Sequence, residues 1–398
     1  APSRGLGDVY KRQVLIDIPM DVQKAVIDFE YPEKCEIRSY KPTTKGNYVQ
    51  VRRVMAALEE AEKPLICIGG GVFAAHAENE IRELADLMQI PVITTMMGIS
   101  VFPDDDQLFC GMIGTHGVKM ANAAVNECDV LFLVGARVGD RAVKTPLALE
   151  KTTKIIHIDI DPAEIGKNIG ADLPLVGDAK LVLQQMTELA KPMKHDEWIA
   201  HIKTLGGERK YVEPAKGTVN PRVFIDRLAK KMPANVTVVA DVGQNQIWTC
   251  TEYKFRKEGR LLTSGGMGTM GYSVPAAIGA KMADNSRATV AICGDGAFQM
   301  SFMELATAVQ FGVDIKVVVM TNNRLGMVRE LQTNGYHDRQ TAVFLDGSPD
   351  FIKLAEAYGI PAMRVYDDDT MDKGIEMLAE HKGICLVEVI VDKDMPTL

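Results

Sequence analysis

Asp295, set between Gly294 and Gly296, and the pair Asn322-Asn323 are the residues of this sequence best suited to holding a hard cation. The short apolar run from Ala291 ends at Gly294-Asp295-Gly296. A segment with Phe302, Leu305, Ala306 and Val309 at helical spacing follows, and then a second apolar run, Ile315 to Met320. Two such runs, read as parallel strands, place their carboxyl ends side by side, so that the acid and the amide meet at one sheet edge. A carboxylate, an amide oxygen and a nearby carbonyl suit Mg²⁺, which takes a few protein oxygens and completes its octahedron with phosphate oxygens and water. The flanking glycines let the backbone approach a diphosphate closely. Gly-Asp-Gly after a strand is by itself most often a turn; the Asn pair, with Leu325-Gly326 behind it, is what makes it a cofactor signal.

Three further places offer chemistry. Gly69-Gly70-Gly71 follows an apolar run, but it is not G-x-G-x-x-G and by itself is more often a tight strand-to-helix turn than a nucleotide site. Gly135-Ala136-Arg137-Val138-Gly139-Asp140-Arg141 puts two arginines and an acid at a strand end, where Arg137 holds a diphosphate bidentately or joins a surface ion-pair cluster. Asp159 stands at a strand end where an acid commonly accepts from a ribose hydroxyl, whereas Asp161, before Pro162, fits a helix N-cap.

The elements that must position these residues are legible in outline. The chain has 398 residues, 46% hydrophobic and 25% charged, enough for two or three domains with full cores. Its net charge of −8, without a basic block, gives no nucleic-acid footprint. No apolar run approaches the roughly 18–20 residues needed to cross a bilayer. Seven cysteines without Cys-x-x-Cys spacing, several inside apolar runs, read as buried thiols of a cytoplasmic protein. Residues 1–48 read as an unpatterned start, an apolar strand Val14–Pro19 and a polar linker, suggesting a truncation or a foreign junction. From 49 to 190 helical stretches alternate with apolar runs at Pro64–Ile68, Pro91–Thr95, Val130–Val134 and Lys154–Ile160. A polar linker is expected at 191–218, and a second alternating unit fills 219–398. The predicted fold class is α/β, with two doubly wound parallel-sheet domains.

With these elements placed, the chain from about Val14 onward resembles the large catalytic subunit of acetohydroxyacid synthase, also called acetolactate synthase. The matching phrases are VLIDIP, the GGG turn, TTMMG, GTHG, ARVGDR, HIDIDPAEIGKN, DVGQNQIW, SGGMGTMGYSVPAAIGA, and GDG followed by TNNRLGMVRE. The resemblance implies a central FAD-type domain and a C-terminal thiamine-diphosphate domain. It implies decarboxylation of pyruvate on thiamine diphosphate and transfer of the hydroxyethyl carbanion to a second pyruvate or 2-ketobutyrate, an early step of branched-chain amino-acid synthesis. A homodimer or larger assembly and a small regulatory subunit belong to the same expectation.

Carried over residue by residue, the resemblance makes Asp295 and Asn322 side-chain Mg²⁺ ligands and the carbonyl of Arg324 a third, with Thr321 standing where the family has a first Asn. It makes Gln244, Asn245, Gly296, Ala297, Gly326 and Met327 cofactor contacts, with Asn245 where the family often has His and a side-chain hydrogen bond to phosphate expected from it. Met270 corresponds to the bulky residue that bends the cofactor, with its own N–H, the carbonyl of Gly268 and Thr269 around the pyrimidine; a Met among glycines is otherwise core filler. Gly70, Thr95, Met96, Gly114, Thr115, His116, Arg137, Asp159, Ile160 and Asp178 correspond to FAD contacts. Val138-Gly139 replaces a Phe-Asp of the family's arginine loop, and Leu331 replaces a Trp of the acceptor pocket, which leaves the choice of acceptor open. The family's N-terminal pyrimidine-binding domain, with the glutamate that contacts the cofactor, is not found, so this chain alone is expected to turn over poorly. Two alternatives stay open: a pyruvate oxidase, 2-keto acid decarboxylase or FAD-free catabolic synthase on the same plan, and a non-catalytic cofactor-binding module.

Overall fold

The computed structural model describes residues 16–33, 41–143, 145–207 and 211–398. Among them, two six-stranded sheets form, one per alternating unit. The first contains β1 (Pro64–Ile68), β2 (Val92–Thr94), β3 (Phe109–Met112), β4 (Val130–Val134), β5 (Lys154–Asp159) and β6 (Leu173–Val176), in the order β3-β2-β1-β4-β5-β6. The second contains β7 (Thr237–Ala240), β8 (Arg260–Thr263), β9 (Thr289–Gly294), β10 (Lys316–Thr321), β11 (Ala362–Val365) and β12 (Cys385–Ile390), in the order β11-β12-β10-β9-β7-β8. Every ladder within both sheets is parallel.

Parallel strands covered on both faces must be apolar at successive positions, and these are. In β1, β4 and β5 alternate residues divide between two cores: Ile66, Phe132 and Ile156 face one, while Leu65, Leu131 and Ile155 face the other. The second sheet divides likewise, with Val238, Ile292 and Val318 on one face and Val239, Ala291 and Val317 on the other. Helices cover each face. Tyr48–Glu60, Glu78–Met88 and Ala179–Thr187 pack on the first sheet, and Pro221–Lys231, Ser273–Ala283 and Asp368–Glu380 on the second. The order of the first sheet is that of a dinucleotide-binding fold, with its switch point between β1 and β4. In the second, chain order reverses between β7 and β9.

Two local expectations change. Ile16–Pro19 is not a strand and precedes a short helix, Met20–Lys24; Val14 and Leu15 lie outside the described residues, as does Cys35. Ile16 and Ile18 are exposed, and an apolar run with no partner strand has no ladder to join. Within 191–218, Asp196–Leu205 is a helix whose Trp198 and Ile202 are buried in the first unit, with the Trp198 indole N–H donating to the Pro64 carbonyl at 3.0 Å. Cys67, Cys110, Cys128, Cys250, Cys293 and Cys385 are buried free thiols. No helix among the described residues is long and apolar enough to cross a membrane.

The two units meet through specific contacts. Ile99 and Met112 of the first join the core of the second. Asp104 and Phe255 exchange two bonds: the Asp104 N–H donates to the Phe255 carbonyl at 2.9 Å, and the Phe255 N–H to the Asp104 carboxylate at 2.9 Å. The Ser100 hydroxyl accepts from the Leu261 N–H, and Arg260 pairs with Glu78 at 2.7 Å.

Candidate functional site

The carboxyl ends of β7, β9 and β10 form one crevice at the switch point of the second sheet, where open α/β sheets bind ligands. A cavity of ≈ 570 Å³, including its open mouth, lies there. Gly243, Gln244, Asn245, Met270, Asp295 and Asn322 line it, together with the turn Arg324 to Val328.

Asp295 follows β9 directly and is 2% exposed. One carboxylate oxygen accepts from the Gly296 N–H at 2.8 Å, and the other from Asn322 and Asn323 at 3.2 and 2.6 Å. The first residues after β10 are thereby folded around the acid, and Asn323 takes a left-handed backbone, φ 54°. Burial pushes the Asp295 carboxyl up to about 6, against the opposing effect of these N–H groups. The Asn322 side-chain oxygen accepts from the Arg324 N–H at 3.1 Å, and its amide donates to Gln244 at 3.1 Å. Asn322 lines the cavity beside Asp295.

This donor set fits a divalent cation. A buried carboxylate disfavoured as an anion gains from a positive charge, and the amide oxygen and the Arg324 turn supply further oxygens. No cluster of three or more His, Cys, Asp or Glu exists among the described residues, so a site here is of the mixed oxygen type that Mg²⁺ shares with phosphate. The cradle also fits a diphosphate: a Cβ on Gly326 would stand 1.8 Å from the Gln244 side-chain oxygen, and one on Gly296 2.9 Å from Leu325.

Other expected residues divide. Met270 lines the cavity and its methyl faces Gly296, while Gly268, at φ 66°, and Thr269 lie in the exposed loop beside it, off the cavity wall. The Asn245 side chain does not serve as expected. Its two amide protons go to the carbonyls of Asp241 and Ile292, at 2.8 and 3.1 Å, so it ties β7 to β9 and leaves the backbone for phosphate. Gln244 is held at both ends, by Asn322 and by the Met395 carbonyl and Thr397 hydroxyl, so the C-terminal turn closes one wall.

Sequence reasoning gave no role to Asp241, although it opens the phrase DVGQNQIW. Fully buried, it accepts from the Gly271 N–H at 3.0 Å and the Ser273 N–H at 2.8 Å, fixing the loop that carries Met270. An acid at the switch-point strand end was the available signal. Trp248 was also missed; it lines the cavity and donates to the Pro396 carbonyl.

In the first unit, all ten residues expected at FAD follow the carboxyl ends of strands: Gly70 after β1, Thr95 and Met96 after β2, Gly114 to His116 after β3, Arg137 after β4, Asp159 and Ile160 at the end of β5, and Asp178 after β6. Arg137 is exposed. Asp159 is half-buried, and desolvation raises its carboxyl while the Asp161 N–H opposes this. Asp178 already caps Ala179–Thr187, accepting from Leu181 at 3.1 Å. Gly69 and Gly135 press backbone to backbone across the switch point, where a Cβ on Gly69 would lie 2.2 Å from the Gly135 carbonyl oxygen. A guanidinium, an acid and close-approach glycines at one edge are a donor set that fits a dinucleotide's diphosphate and ribose.

Comparison with known families agrees with this geometry. Residues 51–186 match the family model "Thiamine pyrophosphate enzyme, central domain", and residues 241–389 match "Thiamine pyrophosphate enzyme, C-terminal TPP binding domain". Fold and site together define the class as that of thiamine pyrophosphate enzymes. Similar proteins include the probable acetolactate synthase large subunit of Methanocaldococcus jannaschii, 39% identical over 95% of this chain and 66% of its own length. The acetolactate synthase large subunit of Corynebacterium glutamicum is 38% identical over 96% of this chain and 63% of its own length. The acetolactate synthase of Arthrospira platensis is 39% identical over 96% of this chain and 68% of its own length. The chain belongs to the acetolactate synthase family, and it spans about two thirds of the length of these relatives.

Proposed function

We propose that the chain acts within an acetolactate synthase that takes pyruvate as donor and a second 2-keto acid, pyruvate or 2-ketobutyrate, as acceptor. The observation that carries this reading is the buried Asp295, joined through backbone N–H groups to Asn322 and Asn323 at the floor of the switch-point cavity. Asp295, Asn322 and the Arg324 carbonyl would hold Mg²⁺, and nearby backbone N–H groups would hold the diphosphate of thiamine diphosphate beside it. That cofactor, when bound, supplies the electron sink on which a 2-keto acid loses carbon dioxide.

This chain's residues bind and orient. Asp241 fixes the Gly271–Ser273 turn, so Met270 stands as an apolar wedge beside Gly296, and the Met270 N–H and Gly268 carbonyl would be the groups to hold the pyrimidine. Trp248, Leu325 and the C-terminal turn keep water from that wall. Arg137, Asp159 and their neighbours would hold FAD at the carboxyl edge of the first sheet. The units divide as 49–205 and 219–398, the helix Asp196–Leu205 counting with the first. A partner subunit covers the exposed Met267, Met300 and Met303 near the Met270 loop, and a small regulatory subunit is consistent with relatives named large subunits. Six buried free thiols suit the cytoplasm.

Product analysis by NMR after incubation with pyruvate, thiamine diphosphate, Mg²⁺ and FAD tests the reaction. Acetolactate, formed slowly by this chain alone, is expected; acetaldehyde or acetate as the main product would assign the chain to another activity of the class.

A further inference from the structure

A second cleft, ≈ 1070 Å³ and open to solvent, lies between the two units, away from the cofactor cavity. Its walls are Asn235, Lys257–Arg260 and Asp284–Arg287, just before β7, β8 and β9 begin, facing His76–Arg82 and Lys180 of the first unit. The cofactor cavity sits at the opposite, carboxyl edge of the same strands.

The wall is cationic in an acidic chain. Arg82, Lys180, Lys257, Arg260 and Arg287 face three acids, Glu78, Glu258 and Asp284, whereas the whole chain carries −8. Arg260 is paired with Glu78 at 2.7 Å, and Lys180 with Glu80 at 3.4 Å. Arg82 and Arg287 instead donate to neutral oxygens: Arg82 to the carbonyls of Val101 and Lys257, and Arg287 to Thr237 and the carbonyls of Val236 and Glu258. Carbonyls hold a guanidinium in place without cancelling its charge. Burial, and then the charge of Arg260, lower the pKa of both Arg82 and Arg287, opposed by nearby acids, among them Glu78 for Arg82 and Asp284 for Arg287.

We propose that this cleft binds a small phosphate-bearing anion of up to nucleotide size. The Nε and Nη2 donors of Arg82 and Arg287 are taken by protein oxygens, so these two guanidinium groups attract phosphate oxygens by their fixed charge and through Nη1, and the ammonium groups of Lys180 and Lys257 add further donors. The ligand bridges both units, because Arg82 and Lys180 come from one and Lys257, Arg260 and Arg287 from the other.

Calorimetry tests this with inorganic pyrophosphate and, in a second arm, ADP, in EDTA at about 0.15 M ionic strength. The parent chain binds one equivalent of either or both, and Asp295→Ala binds as the parent does. The Lys180→Gln/Lys257→Gln chain, altered only at solvent-reaching side chains, binds at least about tenfold more weakly, and so does Arg287→Gln. Circular dichroism confirms that the variants fold. No binding of either probe by the parent, equal binding by the lysine variant, or loss in Asp295→Ala would overturn the proposal, the last by moving the site to the cofactor cavity.

Discussion

Asp295 shows how a single residue couples burial to chemistry. Three N–H groups hold its carboxylate, and burial still keeps it up to about 6 against an ordinary 3.8. A cation must displace a proton from this group once the pH falls below 6. Mg²⁺-dependent binding of thiamine diphosphate is therefore expected to weaken about tenfold between pH 7 and pH 5, and titrations at the two values check it. Equal affinities would place the cation elsewhere. At this scale the sequence spoke through residue type and spacing: Asp295, Asn322 and Met270 all reach the cavity. What it could not convey is where each hydrogen-bonding atom is already engaged. Asn245 looks like a phosphate donor in sequence, but both of its amide protons serve two backbone carbonyls.

At the scale of elements, visibility followed burial. The eight interior strands were legible as largely apolar runs, those of β7 and β12 at Val236–Ala240 and Ile384–Val391, because helices cover both faces. The four strands that the runs did not reveal, β3, β6, β8 and β11, are the four sheet edges. They are only partly buried, so their side chains carry no unbroken apolar signal. The helix Asp196–Leu205 was hidden by flanking Pro and Gly, its membership in the first unit resting on Trp198 and Ile202. The GGG turn was ambiguous in sequence, and contact explains it: Gly69 lies against Gly135 with no room for a Cβ. Gly69→Ala is expected to destabilise the chain by about 3 kcal/mol or more, since backbone cannot yield as a side chain does. Gly266→Ala, where a Cβ meets nothing within 4 Å, is expected to change stability by less than about 0.5 kcal/mol. Denaturant unfolding of both variants checks the contrast, and a mild Gly69→Ala would show that the switch point is slack.

In the whole molecule, two doubly wound units are locked through the Asp104–Phe255 exchange, the Ser100–Leu261 bond and the Arg260–Glu78 pair. None of these pairings could be read from sequence, because each joins residues more than a hundred positions apart that carry no pattern in common. Burial pushes the Asp104 carboxyl up to about 6, while Lys254 opposes this. The folded chain thus keeps a proton that the unfolded chain releases from about pH 4 upward. This group's contribution to stability is greatest below pH 4 and declines as the pH rises to about 6. Asp104→Asn removes that decline, so relative to the parent it gains at most about 3 kcal/mol between pH 4 and pH 7, measurable by denaturant unfolding at the two values. A constant difference between the two chains would show that Asp104 ionises normally in the junction. The most direct test of the central claim, that the switch-point crevice of the second sheet holds thiamine diphosphate through Mg²⁺ at Asp295, is calorimetric titration of thiamine diphosphate into the parent and Asp295→Ala chains, with Mg²⁺ and with EDTA. Binding by the parent that requires Mg²⁺ and disappears in the variant is the predicted result; binding that survives in Asp295→Ala or is indifferent to EDTA would contradict it.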